Sequence, residues 1–207
     1  VNIIYRSRAV YRALMRLLYG RTVKQRFLEI AAFVPPGARV IDLCCGPGDL
    51  FFETLRKKGV SYVGIDASRH FVDGINRNPN SGISAVCADI TTLTSIPVGD
   101  VIIMQSSLYQ FFEEADALIH KMLKSARSKV IISEPINNLS NSSNPLVRRC
   151  AQILTSTKPK TESYRFNEHT FRDLMKNFGD QIVVLKKVAN GREMLAVLDC
   201  ARGLDPK

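Results

Sequence analysis

Between residues 38 and 134, short apolar runs alternate with helical stretches, and that alternation leaves few folds open. The runs "ARVIDLC" (38–44), "SYVGID" (61–66), "GISAVCAD" (82–89), "DVIIMQS" (100–106) and "SKVIISE" (128–134) read as strands. They are rich in Val and Ile and nearly continuous, as strands are when helices cover both faces of a sheet. Helical stretches at 49–59, 68–77 and 110–126 separate them. A β-α-β-α order implies a parallel, doubly wound sheet.

The C-terminal part follows another rule. Residues 166–179 read as a helix with Asn167 as N-cap and Gly179 as stop. "QIVVLKKVA" and "REMLAVLDC" then read as two strands joined by a type I′ turn at Asn190-Gly191. The expected fold is therefore α/β and Rossmann-like. It has seven strands, five parallel plus a C-terminal antiparallel hairpin, behind an N-terminal helical cap.

The 207 residues suit a single domain overall. Residues 1–34 form the basic helical cap, broken near Gly20 and ended by Pro35-Pro36-Gly37. Residues 35–207 form the main domain, with a polar insertion at about 135–165 as a lid.

Charge is unevenly placed. The net charge is +10, yet residues 1–28 carry seven basic side chains and no acid before Glu29. Such a leader serves as a cap with a solvated face, or contacts an anionic membrane surface through residues 1–28. The apolar stripe of Ile3, Ile4, Leu14, Leu17 and Leu18 favours lipid over nucleic acid, and no RNA-binding module is visible. No run of about 18 apolar residues exists. The five cysteines are odd in number and none are spaced C-x-x-C, so neither a disulfide framework nor a metal site is expected. The expected setting is a reducing cytoplasm, with peripheral membrane contact.

The chemistry concentrates in "VIDLCCGPGDL" (40–50), a glycine loop between the first strand and a helix. The P-loop spacing G-x-x-x-x-G-K-[ST] is absent, and the dinucleotide fingerprint G-x-G-x-x-G stops at Phe51. Three carboxylates, Asp42, Asp66 and Asp89, end successive strands at the edge where open α/β sheets bind ligands. A carboxylate there accepts from ribose hydroxyls or an adenine amine but repels a pyrophosphate. The set therefore suits S-adenosylmethionine, which has a ribose, an adenine, a sulfonium and no phosphate.

With "YVGIDAS", "VCADI" and "DVIIMQSSLYQF" following in order, the chain resembles the class I S-adenosylmethionine-dependent methyltransferases over about residues 25–200. It is most similar to the small-molecule, quinone-biosynthesis-like members. The resemblance implies that Asp42, Cys44, Cys45, Gly46 and Gly48, with the backbone of Asp49, line the methionine portion. It places Asp66 on the ribose, Ala67 and Ser68 beside the adenine, and Asp89 and Ile90 at its edge and face. Gln105 and Ser106 fall near the transferable methyl. Tyr109 and Gln110 face the acceptor and are the candidate catalytic residues. The implied product is S-adenosylhomocysteine, and no metal is implied.

A histidine often follows the fourth strand in related enzymes; here Tyr109-Gln110 stands there. Tyr109, Glu134 and Tyr164 are therefore indirect base candidates, and transfer without a dedicated base is equally open. Tyr19 and Arg21 are candidates to reach the cofactor carboxylate. The expected activity is methyl transfer to a small, lipophilic acceptor. Two alternatives stay open: a non-catalytic S-adenosylmethionine-binding platform, and an NAD(P)-dependent oxidoreductase.

Overall fold

The computed structural model describes residues 21–77, 82–137 and 164–203. The leader before Arg21, and most of the expected lid, lie outside the described residues.

In chain order the elements are α1 (Arg21–Ala32), β1 (Arg39–Leu43), α2 (Asp49–Glu53), β2 (Ser61–Asp66), α3 (Arg69–Asn76) and β3 (Ile83–Cys87). There follow β4 (Gly99–Gln105), α4 (Ala115–Ser125), β5 (Ala126–Pro135), α5 (Glu168–Lys176), β6 (Ile182–Val188) and β7 (Glu193–Asp199). One seven-stranded sheet runs in the order β3-β2-β1-β4-β5-β7-β6. The five strands β1 to β5 pair parallel, and β7 runs antiparallel between β5 and β6. The expected sheet, hairpin included, is the observed one.

The central strands are buried on both faces, and the two-residue strand period divides their side chains between two cores. Val40, Val101, Ile103, Ile131, Leu195 and Val197 join Phe27 and Ile30 of α1, Leu50 and Phe51 of α2, and Val72 and Ile75 of α3. On the opposite face Ile41, Ile102, Met104, Val130, Ile132 and Leu198 meet Ile119 and Met122 of α4 and Phe171 and Met175 of α5. The edge strands β3 and β6 are more exposed.

Several local expectations are corrected. The helix expected over 49–59 is α2 followed by a 3₁₀ turn at Leu55–Lys58. Between them Thr54 donates its hydroxyl to the Leu50 carbonyl at 2.7 Å, and such back-bonding bends a helix. Likewise α4 begins only after a 3₁₀ stretch, Leu108–Glu114. Asn167 caps α5 as expected, and does so within a capping box, but the helix ends at Lys176 with Asn177 as its C-cap, and Gly179 opens a 3₁₀ turn instead of a left-handed stop. The β6–β7 connection is a four-residue loop, because Val188 pairs with Glu193. Ala189, Asn190 and Gly191 all have positive φ, so two left-handed turns overlap where one was expected.

Candidate active site

The chain reverses direction across the sheet between β1 and β4, and open α/β sheets bind ligands at the carboxyl ends of such a pair. The glycine loop lies there. Cys44, Gly46 and Gly48 adopt positive φ (56°, 55° and 75°), a left-handed alternation that folds the loop back on itself. Asp66, at the end of β2, holds it. One carboxylate oxygen accepts from the Gly46 N–H and the other from the Ser68 N–H, both at 2.8 Å. A Cβ built on Gly46 meets nothing within 4 Å, so this glycine borders open space, while one on Gly64 would lie 2.5 Å from the Cys45 sulfur. Cys45 is therefore a packed thiol and requires the bare backbone of β2 beside it. Burial pushes the Cys44 and Cys45 thiols up, which favours their protonated forms near neutrality.

Asp89 is placed two residues beyond the end of β3 rather than closing it. It is exposed, and its Oδ1 accepts from the Thr91 N–H and hydroxyl in a local turn. Ile90 beside it is buried, and Ala67 and Ser68 follow Asp66 into α3.

Past β4, Ser106 stands at φ 51°. Its N–H donates to the Ser133 carbonyl at 2.7 Å, and the Ser107 and Leu108 N–H groups both donate to Glu134 Oε1 at 2.7 Å. The backbone between Gln105 and Leu108 is thus fixed at every N–H from Ser106 onward. Tyr109 is half-buried, with the Arg165 guanidinium 3.6 Å over its ring; Gln110 is exposed. Burial raises the Tyr109 phenol above its ordinary value against the opposing pull of Arg165. Tyr164 stacks on Phe112, with ring centroids 3.4 Å apart, and lies edge-on to Phe166.

The sequence reading missed the group that ties these parts together. Arg26 of α1 turns inward, donates to the Ser106 hydroxyl and pairs with Glu193 at 3.1 Å. Glu193 also accepts from the Ser133 hydroxyl at 3.1 Å. Arg26 was one charge among seven in the leader, and nothing local distinguishes it from the rest. Tyr19 and the side chain of Arg21 lie outside what is described, and Arg26 is the leader cation observed at the site among the described residues. The expected membrane-facing leader likewise falls mostly outside them, and Arg26 itself is not on a solvated face.

Asp42 is fully buried on β1 and accepts from the Tyr62 hydroxyl at 2.6 Å. Burial pushes its carboxyl up to about 7, with the Tyr62 hydroxyl and the Gln105 amide opposing. Glu134 is equally buried and is also pushed up to about 7, chiefly by burial, with the Leu108 and Ser107 N–H groups opposing.

Among the described residues, four buried side-chain atoms lack a hydrogen-bond partner: Arg26 Nε, Asp42 Oδ1, Gln105 Oε1 and Glu134 Oε2. All four belong to residues grouped around the carboxyl ends of β1, β4 and β5. Three are acceptors and one is a guanidinium N–H, a set complementary to a zwitterionic amino-acid group. The residues present thus fit the amino-acid end of S-adenosylmethionine. A diphosphate finds no such match here.

These raised carboxyls carry a sign for stability. Their folded values exceed the ordinary 3.8 and 4.5, so the native state holds protons that the unfolded chain has already released. That contribution is complete below the unfolded values and is lost as pH rises through about 7. The melting temperature of the ligand-free protein is expected to fall between about pH 5 and about pH 8, with Asp42→Asn flattening the slope. A melting temperature that climbs across this window would contradict the assignment.

No group of three or more His, Cys, Asp or Glu residues able to hold a metal occurs among the described residues. No helix among them is long and apolar enough to cross a membrane.

Residues 24–169 match the family model "Methionine biosynthesis protein MetW". No curated protein matches the chain by sequence. Among solved structures, magnesium protoporphyrin IX methyltransferase from Synechocystis PCC 6803, with bound S-adenosylhomocysteine, is similar at 19% identity. That match covers 96% of each chain at a TM-score of 0.66. A putative methyltransferase of Haloferax volcanii, in complex with the Trm112 activator, is 14% identical over 90% of this chain and 92% of its own, with a TM-score of 0.66. The [4+2]-cyclase SpnF shares the fold at 17% identity and a TM-score of 0.57, over 81% of this chain and 60% of its own. The architecture is thus the Rossmann-like methyltransferase fold, which also hosts other chemistry.

Proposed function

The chain belongs to the MetW family, and from that membership together with the site we propose that it is a class I S-adenosylmethionine-dependent methyltransferase. The observation that carries this reading is the convergence of the orphaned buried side-chain polar atoms among the described residues at the carboxyl ends of β1, β4 and β5, beside a glycine loop that borders open space.

When bound, the donor supplies an electrophilic methyl carbon on a sulfonium. Asp42 Oδ1 and Gln105 Oε1 would accept from its α-ammonium, and Arg26 Nε would donate to its carboxylate. Asp66 already accepts one N–H at each oxygen and keeps a second lone pair on each for the ribose hydroxyls. Ile90 would supply an apolar face for the adenine, with Asp89 at its edge and Ala67 and Ser68 beside it. The bare Gly46 backbone lets the ligand approach.

On the acceptor side, neither Tyr109 nor Glu134 among the described residues offers a base. A phenol pushed upward stays protonated, so Tyr109 does not abstract a proton near neutrality. Glu134 has no exposed surface and commits Oε1 to two N–H groups, so it is out of reach as a general base. What the described residues supply to the rate is holding the acceptor's lone pair in line with the methyl carbon. Tyr109, Phe111, Phe112, Tyr164 and Phe166 give that side an aromatic character suited to a small lipophilic acceptor.

The oxidoreductase alternative lacks support. The third glycine is missing, and the antiparallel β7 inserted beside β5 departs from the dinucleotide-binding order. Titration calorimetry tests the reading: S-adenosylhomocysteine is expected to bind at micromolar concentration and NAD not at all. Binding of NAD alone would reverse the assignment. Labelled-methyl transfer from S-adenosylmethionine into a metabolite extract separates an enzyme from a non-catalytic platform, since a platform yields no labelled product.

A further inference from the structure

The charges around the switch point do not balance. Three carboxylates are buried there: Asp42 at 0% exposure, Glu134 at 0% and Glu193 at 2%. Half-buried Asp66 borders them from β2. Two cations stand against these four acids among the described residues: Arg26 from α1, which is engaged with Glu193, and Arg165, whose guanidinium lies 3.6 Å over the Tyr109 ring. Asp42 lies on the face of the sheet shared with Val40, and Glu134 on the opposite face, so the acids flank the carboxyl ends of the strands from both sides. Glu134 is rigidly aimed. Two backbone N–H groups fix Oε1, which leaves Oε2 buried with no hydrogen-bond partner.

We propose that this buried carboxylate excess, with Glu134 as its decisive member, makes the site select the cationic sulfonium donor over its neutral thioether product. The proposal rests on the methyl-donor reading above. S-adenosylmethionine carries one more positive charge than S-adenosylhomocysteine and is otherwise the same ligand plus a methyl. In a site of low effective dielectric a carboxylate distinguishes the two by attraction alone, without touching the sulfur. The transfer removes that charge, so the same acids that hold the donor weaken the hold on the product. Burial leaves Glu134 and Asp42 poised near neutrality, where an arriving cation favours their ionised forms.

Glu134→Gln isolates the charge. The glutamine carbonyl can accept from the same two N–H groups, so the Ser106–Leu108 backbone stays in place, whereas substitution of Asp42 would also disturb Tyr62. Dissociation constants for S-adenosylmethionine, S-adenosylhomocysteine and the non-reactive cationic analogue sinefungin are measured by calorimetry near pH 8 on both proteins. Wild type is expected to favour the two cationic ligands about tenfold over S-adenosylhomocysteine. Glu134→Gln is expected to cut that preference at least threefold, with S-adenosylhomocysteine affinity within about twofold of wild type. An unchanged ratio, or equal losses for all three ligands, overturns the proposal and leaves the cofactor assignment standing. Failure of wild type to bind any of the three overturns both.

Discussion

Asp66→Ala is expected to lower S-adenosylhomocysteine affinity by at least about 100-fold while the protein stays folded. The carboxylate has two tasks. It pins the Gly46 and Ser68 N–H groups, each at 2.8 Å, and it presents its remaining lone pairs to the ribose. Hydrogen bonds to a charged group contribute about 1.5–3 kcal/mol each, so losing two or more in the bound state gives this factor. Asp66 is only half-buried and its carboxyl is raised by burial, so deleting it removes a desolvated charge and spares the core. Asp66→Asn keeps one acceptor and should fall between. Calorimetry on variants with native circular dichroism measures the effect. Affinity of Asp66→Ala within threefold of wild type would show that the loop, not the acid, recognises the nucleoside.

The second large effect concerns stability. Arg26→Met is expected to reduce the free energy of unfolding by about 3 kcal/mol, because it strands Glu193 without its counter-ion. Glu193 is 2% exposed and would keep only the Ser133 hydroxyl as a partner. The side chains of the pair are 12% and 3% exposed, so solvent screens the interaction little. Glu193→Gln in the Arg26→Met background should restore most of the loss, since a neutral amide tolerates burial beside a serine hydroxyl. Urea unfolding monitored by circular dichroism reads both variants. A loss below about 1 kcal/mol in the single variant would place Arg26 among ordinary surface ion pairs. An unrecovered double variant would mean that α1 packing, and not charge, sets the cost.

Much of this arrangement is visible in the sequence because it depends on local periodicity. Val101 to Met104 and Val130 to Ile132 form continuous apolar runs, and Val40, Ile41 and Leu43 one interrupted by Asp42, as expected of doubly covered strands. Asn167 three residues before Thr170 forms its capping box because both partners sit within one helical turn. The glycine loop is equally local, and its spacing brings Asp42, Gly46 and Gly48 to one strand end. Local signals are weaker where competing bonds decide, as at Thr54, where a hydroxyl interrupts a helix that composition favours.

Other features depend on partners far apart in the chain. Arg26 and Glu193 are separated by 167 positions, and no period or motif links them. Tyr62 reads as one more aromatic on a strand until the parallel register of β1 and β2 brings its hydroxyl to Asp42. Glu134 reads as a polar strand end until the turn after β4 folds two N–H groups onto it. The sequence by itself determined the sheet, its doubly wound order and the loop at its switch point, because strand and helix periods are written in neighbouring residues. Only the tertiary structure decided which charges are buried, which are paired and which polar atoms are left without a partner. Those properties belong to contacts between elements, and burial converts them into shifted protonation and ligand preference by removing water from around them.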